Sequence, residues 1–184
     1  MLKFNVIAAV CQNFGIGLNG DLPWSLKSEY EYFTRTTTHI YDTAKQNVVI
    51  MGRLTYISIH EDQRPLAERL NVVLSTAMTS AELPENVLLF PNLETAMQRL
   101  EQEDLRKKVG TVWIVGGSGV YKEAMSSPRC HRLYITRIKK EYKCDTFFPK
   151  IPMDFIEIHP GPESPRGLQE ENGIQYEFKI LEKL

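Results

Sequence analysis

Continuous apolar runs are the feature that most narrows what this chain can become. Val6-Ile7-Ala8-Ala9-Val10, Asn47-Val48-Val49-Ile50-Met51, Asn71-Val72-Val73-Leu74-Ser75 and Thr111-Val112-Trp113-Ile114-Val115 lack the alternation of a half-exposed strand. Strands buried on both faces read this way, so helices must cover both sides of a mostly parallel sheet. Helical periodicity lies between the runs, over Leu26 to Thr37, Leu54 to Ile59 and Leu93 to Lys107. In the last of these, Leu93, Ala96, Met97, Leu100 and Leu105 stand against Glu101, Glu103, Asp104, Arg106 and Lys107, so the charges read as a solvated face. The order predicts an α/β domain with right-handed crossovers. The C-terminal third follows a different pattern, in which His131 to Ile138 and Asp154 to Ile158 read as strands and Gly173 to Leu181 alternates. With the loop Pro160 to Gly167 between the last two, an antiparallel hairpin closing the sheet edge is expected.

A chain of 184 residues fits one domain, here 1–184, with a sizeable core. Its 42% hydrophobic and 24% charged content is ordinary for a globular protein, and a net charge of −1 supplies no field for DNA or an anionic membrane. No apolar stretch approaches the roughly 20 residues of a membrane span, and the N-terminus lacks the order of a secretory signal. Cys11, Cys130 and Cys144 are odd in number and far apart in sequence, which suits reduced thiols and a cytoplasmic location. The four histidines, His39, His60, His131 and His159, show no ligand spacing, so no metal is expected.

Directly after the first apolar run comes Gly15-Ile16-Gly17-Leu18-Asn19-Gly20-Asp21-Leu22-Pro23-Trp24, which spells G-x-G-x-x-G. A dinucleotide fingerprint of that form needs a helix opening at its last glycines. Asn19-Gly20-Asp21 is turn chemistry instead, and Pro23 biases Leu22 away from helix. The segment reads as a glycine-jointed loop with an indole at its tip, a cover for a ligand.

The strand–glycine–helix order appears further on, in Gly116-Gly117-Ser118-Gly119-Val120-Tyr121, and again in Met51-Gly52-Arg53-Leu54-Thr55. Helix N-termini attract anions, and glycines let backbone approach them. The residues alone leave open a phosphate site or plain strand–helix turns. Glu29 shares a helix face with Phe33 at i, i+4: either an exposed glutamate beside buried aromatics, or a carboxylate in an apolar cleft with a raised pKa. Arg69 is either a carboxylate clamp or a surface arginine. Lys139, Lys140 and Lys143 read as solvent-facing.

Taken together, Gly15-Ile16-Gly17 with Asn19 to Trp24, Val49 to Thr55, Arg64-Pro65-Leu66, Arg69-Leu70-Asn71, Trp113 to Gly117, Thr136-Arg137-Ile138 and Asp145 to Pro149 resemble the dihydrofolate reductase family, monofunctional eukaryotic type, over essentially the whole chain. The resemblance implies a central eight-stranded, mostly parallel sheet flanked by helices, with an adenosine-binding subdomain at about residues 40–105. It also implies NADPH as cofactor, dihydrofolate as substrate, antifolates as inhibitors, RNA contact that is at most incidental, and a monomer. Its acid falls on Glu29, braced by Thr136, with Leu22 and Trp24 controlling a water that protonates N5. The substrate would meet Ile7, Ala8, Tyr30, Phe33, Arg69 and Val115. The cofactor would meet Ala9, Ile16, Gly52, Arg53, Thr55 and Ser75, together with the run Gly116, Gly117, Ser118, Gly119, Val120 and Tyr121. The family also places a cis peptide at Gly116–Gly117. A related reductase of riboflavin synthesis shares the architecture but lacks the loop tryptophan and the Glu29/Phe33 face.

Four positions depart from the vertebrate pattern of that family. Ser25 stands where two residues usually lie, and Tyr30 replaces an apolar residue. Leu54 and Thr76 occupy positions that are often basic and pair the cofactor's 2′-phosphate, which leaves Arg53 and Ser75 as partners. A preference for NADPH over NADH is therefore expected, but a weaker one than in relatives with the extra cations. Steady-state kinetics with both cofactors checks this, and equal kcat/KM values refute it.

Overall fold

The computed structural model describes all residues from Met1 to Leu184. The chain runs through β1 (Phe4–Val10), β2 (Gly15–Gly17), α1 (Lys27–Thr38), β3 (Gln46–Gly52), α2 (Arg53–Ser58), β4 (Leu70–Leu74) and β5 (Val87–Phe90). It continues through α3 (Leu93–Leu100), α4 (Glu103–Arg106), β6 (Val109–Gly116), α5 (Ser118–Ser126) and β7 (Cys130–Ile138). Last come β8 (Thr146–Phe147), β9 (Phe155–Ile158), β10 (Gln169–Glu171) and β11 (Ile174–Lys183). The main sheet has the order β10-β11-β7-β1-β6-β3-β4-β5, and β9 pairs with β11 as a ninth strand. From β7 to β5 every pairing is parallel; β11 is antiparallel to β7, β9 and β10. The expected α/β sheet with an antiparallel C-terminal edge is the fold observed.

The apolar runs sort their side chains by the period-2 rule. Val6, Ala8, Val10, Val48, Ile50, Val72 and Leu74 join one core cluster; Ile7, Val49, Met51 and Val73 join a second across the sheet. Burying such side chains contributes roughly 1.5–3 kcal/mol each, which is why these runs set the architecture. In β11 only Tyr176, Phe178 and Ile180 are buried, the alternation of a strand with one wet face.

Several boundaries differ from the sequence expectation. The helix over Leu93 to Lys107 breaks after Leu100, because continuing its buried stripe of Leu93, Ala96, Met97 and Leu100 would bring Glu103, Asp104 and Lys107 inward. The tight C-terminal hairpin joins β10 to β11, whereas β9 pairs with the far half of β11. Asn172-Gly173, both at positive φ (52° and 78°), is the turn sequence that favours such a hairpin. The short strands β2, β5 and β8 carry no sequence period long enough to be seen.

Asn47 fastens α1 to the sheet. It is buried; its Nδ2 donates to the carbonyls of Thr37 (2.9 Å) and His39 (2.7 Å), and its Oδ1 accepts from the Thr111 amide (2.8 Å). Gly110 makes room for it, since a Cβ there would lie 2.6 Å from Oδ1. Asn47→Ala strands three backbone groups, each costing about 1–3 kcal/mol if left unpaired. A loss of at least ~2 kcal/mol is expected in urea unfolding, seen as a lower midpoint at unchanged m-value.

Candidate active site

The chain order β1, β3, β4, β5, then back to β6 between β1 and β3, then out to β7, makes a topological switch beside β1. Ligands of open α/β sheets bind outside the carboxyl ends of the strands at such a point. Ala9, Gly52, Ser75 and Gly116 all stand at or just beyond those ends.

Glu29 lies in the first turn of α1 and is buried. Its Oε1 accepts a hydrogen bond from Thr136 Oγ1 (3.1 Å), and Thr136 sits in register opposite Ala9. The helix N-terminus and the Thr136 hydroxyl both favour the charged form. Burial outweighs them and raises the pKa to about 7, with the Thr136 bond opposing. Of the two sequence readings, the carboxylate in an apolar cleft is correct. Leu22, Trp24, Leu26, Glu29 and Tyr30 line one cavity of about 180 Å³. Trp24 is buried with no protein partner for its Nε1, and Leu22 is half exposed above it. Phe33 and Val115 pack on the cluster holding Ile7. The Ala8 side chain joins the opposite cluster, so only its main chain faces this side.

The decapeptide is a loop, with no helix at its glycines. Gly15–Gly17 pairs with Thr146–Phe147, and Leu18 and Asp21 bridge across Asn19 and Gly20, both at positive φ (52° and 78°). Asp145 pins the turn by accepting from the Asn19 amide at 2.9 Å. Ile16 packs against the main core.

At the far end of α1, Arg69 is buried without a carboxylate in ion-pair range. Its Nε donates to the Ala67 carbonyl (2.8 Å) and its Nη1 to Thr37 Oγ1 (3.0 Å), while burial lowers its pKa. The guanidinium is desolvated with no ion-pair partner, so the reading of Arg69 as an ordinary surface arginine fails. Asn71 sets the loop that carries it, donating to the carbonyls of Leu66 and Arg69 and accepting from the Leu66 amide, each at 2.9 Å.

The Gly116–Gly117 peptide is cis, and Gly116 has φ +134°. A Cβ on Gly117 would stand 3.1 Å from Thr55 Oγ1, so bare backbone lies against the α2 start. Helix α5 begins after Gly117 with no side-chain cap, leaving its amides free, and nothing crowds Gly119. Val120 faces Gly52, and Arg53 opens α2. Three predicted residues are engaged internally: Ser118 Oγ donates to the Phe147 carbonyl (2.7 Å), Tyr121 Oη to the Ile7 carbonyl (2.9 Å), and Ser75 Oγ accepts from the Ala77 and Met78 amides (3.0 and 3.1 Å). The glycines, the unpaired amides and the Thr55 hydroxyl fit a phosphate-bearing cofactor.

A family model described as dihydrofolate reductase matches residues 3–183. The chain belongs to the dihydrofolate reductase family. It is similar to the dihydrofolate reductase of Drosophila melanogaster, 60% identical over 183 residues covering 100% of this chain and 99% of that one. It is 50% identical over 182 residues to that of Sus scrofa, with 97% of each chain covered. The solved Schistosoma mansoni dihydrofolate reductase superimposes with a TM-score of 0.87 at 35% identity, covering 100% of this chain and 99% of that one. The dihydrofolate reductase family is one of oxidoreductases, and the chain is an enzyme of that class.

Sequence reasoning missed several supports of this reductase site. Glu171, on β10, caps α1 from across the molecule, accepting from the Lys27 (2.7 Å) and Ser28 (2.8 Å) amides, which hold its carboxyl below the usual range. It sets where Glu29 begins, and no local signal marks it. Arg64 donates to the carbonyls of Ile57 and Ile59 at the end of α2, a structural role for that motif. Lys139, Lys140 and Lys143 are exposed as expected, with Lys139 paired to Glu177 at 3.1 Å.

Glu29 costs the fold stability. Its carboxyl titrates near 4.5 when unfolded and about 7 when folded, so between those values the folded state holds the extra proton. Stability therefore falls as pH rises across that window, by on the order of 3 kcal/mol in total. Glu29→Gln is expected to raise the unfolding midpoint at pH 8, to lower turnover at pH 7 by about 10²-fold or more, and to abolish an inflection near pH 7 in the rate profile. Unchanged turnover would sink the role assigned to Glu29.

Proposed function

We propose that the chain reduces 7,8-dihydrofolate to 5,6,7,8-tetrahydrofolate with NADPH. The observation that carries this reading is the pairing of two buried, oppositely charged groups along one helix. Glu29 opens α1 and Arg69 meets Thr37 near its end, eight residues or about 12 Å away at 1.5 Å per residue. A ligand that fits has a hydrogen-bonding amidine-like ring at one end, an apolar middle and a carboxylate at the other. Dihydrofolate has that order of groups.

The chemistry that NADPH would supply when bound is a hydride for C6 of the substrate. The chain's own residues do the rest, which is alignment and electrostatics. Glu29 accepts from N3 and the 2-amino group of the pterin, and the Thr136 hydroxyl fixes the carboxyl's orientation. A water admitted past Leu22 and held at Trp24 Nε1 passes a proton to N5. Ile7, Phe33 and Val115 form an apolar wall that keeps other water out, with Ala8 contributing main chain and Tyr30 the rim. Arg69 clamps the α-carboxylate of the glutamate tail.

For the cofactor, the free amides of Gly117 to Val120 at the start of α5 would hold the pyrophosphate together with Thr55. Arg53 and Ser75 would take the 2′-phosphate, and the main chains of Ala9 and Ile16 the carboxamide of the nicotinamide. Tyr121 acts at one remove, by orienting the Ile7 carbonyl.

The test is loss of NADPH absorbance only when dihydrofolate is present; its absence overturns the proposal. Arg69→Lys keeps the charge but loses the fork. We expect its KM for dihydrofolate to rise about tenfold or more, equivalent to some 1.4 kcal/mol, with kcat little changed. A dihydropterin lacking the glutamate tail should be reduced equally by both forms.

A further inference from the structure

Two of the three cysteines lie outside the chemistry above, yet their sulfurs meet. Cys11 follows β1 and Cys144 precedes β8; 133 positions separate them, but their Sγ atoms are 3.9 Å apart. The two thiols are far apart in sequence, and only the fold brings them together. Cys130 is buried in the main core and does not join them.

The contact sits at the base of the lid. The Cys11 amide donates to the Gly15 carbonyl (3.1 Å), and the Asp145 amide, one residue after Cys144, donates to the Gly17 carbonyl (2.9 Å). Gly15 is where both sulfurs fit: a Cβ there would lie 2.1 Å from Cys144 Sγ and 3.0 Å from Cys11 Sγ. Cys11 is fully buried, whereas Cys144 is partly exposed and open to a small oxidant. A disulfide needs a sulfur separation of about 2.05 Å, so the pair must close by about 2 Å.

We propose that Cys11 and Cys144 form a reversible redox pair whose disulfide clamps the base of the lid. A hydroperoxide oxidises the Cys144 thiol to a sulfenic acid, its O–O bond breaking and one oxygen leaving as water or alcohol. The Cys11 sulfur then attacks Cys144 Sγ, the S–O bond breaks, and the hydroxyl leaves as a second water with the Cys11 proton. Each sulfur loses one electron and the peroxide gains two. A dithiol reductant reverses the bond by exchange. Once made, the bond joins β1 to the strand that pairs with the lid, so the lid's two anchors can no longer separate. The effect on turnover rests on the lid role proposed above; the bond itself does not.

The purified enzyme is treated with hydrogen peroxide, alkylated, and mapped by mass spectrometry, with turnover read in parallel. The expected result is loss of two hydrogens in a peptide pair joining Cys11 to Cys144, with Cys130 still alkylated. Turnover should fall several-fold and return with dithiothreitol. Cys11→Ser and Cys144→Ser should start at unchanged activity and resist that loss. Oxygen gained on Cys144 without a cross-link, or a bond to Cys130, overturns the proposal, as does equal inactivation of both serine variants. A cross-link with unchanged turnover overturns the clamp. Were the dihydrofolate reading itself at fault, the reduced enzyme would show no turnover while the peptide map stood unaffected.

Discussion

A carboxyl group withdrawn from water, with one hydroxyl to receive it, is an expensive thing to fold around. Glu29 is such a group. Its partner Thr136 comes from β7, its own position from the first turn of α1, and its dry surroundings from Leu22, Trp24 and Leu26. Three separate parts of the chain must be placed correctly before that one hydrogen bond can exist. Much of the rest of the structure is explained by what holds them there.

The hydrophobic core supplies most of the driving force, but apolar burial is non-directional and does not set α1 to within an ångström. Polar tethers do that, two of them buried. Asn47 holds the end of α1 to β3 and β6, Asn71 shapes the loop that presents Arg69, and Glu171 fixes where α1 starts. Each satisfies main-chain groups that would otherwise be stranded, so each is specific as well as stabilising. Glu29 stands in the first turn of α1, while Arg69 comes from the loop before β4 and meets the helix at Thr37.

The lid follows the opposite logic. It is held by a few short contacts: the β2–β8 ribbon, the Asp145 bond to Asn19 and the Ser118 bond to the Phe147 carbonyl. Its tip carries Leu22 half exposed, next to the Asn19-Gly20 turn. Ile16 and Trp24 anchor the segment in the core, so only its tip around Asn19 to Leu22 is free of apolar burial. The Cys11–Cys144 contact lies where such a segment is most easily restrained.

The parallel sheet was legible in the sequence because four runs fully buried on both faces cannot be anything else. The glycine motifs were legible as strand–helix joints, and the G-x-G-x-x-G spelling was correctly refused a helix, which Asn19-Gly20-Asp21 and Pro23 disfavour. Glu29 was harder: its residue type and its i, i+4 neighbour fit an exposed side chain equally well. Burial is a property of what arrives from elsewhere in the chain, here Trp24 and Thr136. The same holds for Arg69, whose isolation from any carboxylate only the packed loop reveals. The break after Leu100 and the Asn172-Gly173 hairpin were present in the periodicity and turn chemistry. By itself, then, the sequence determined the strands, the crossovers and the family motifs, all of which depend on neighbours a few residues away. Only the tertiary structure decided the charge state of Glu29, the cross-chain cap from Glu171 and the meeting of Cys11 with Cys144. Each of these needs a distance between groups far apart along the chain, and no local pattern encodes that distance.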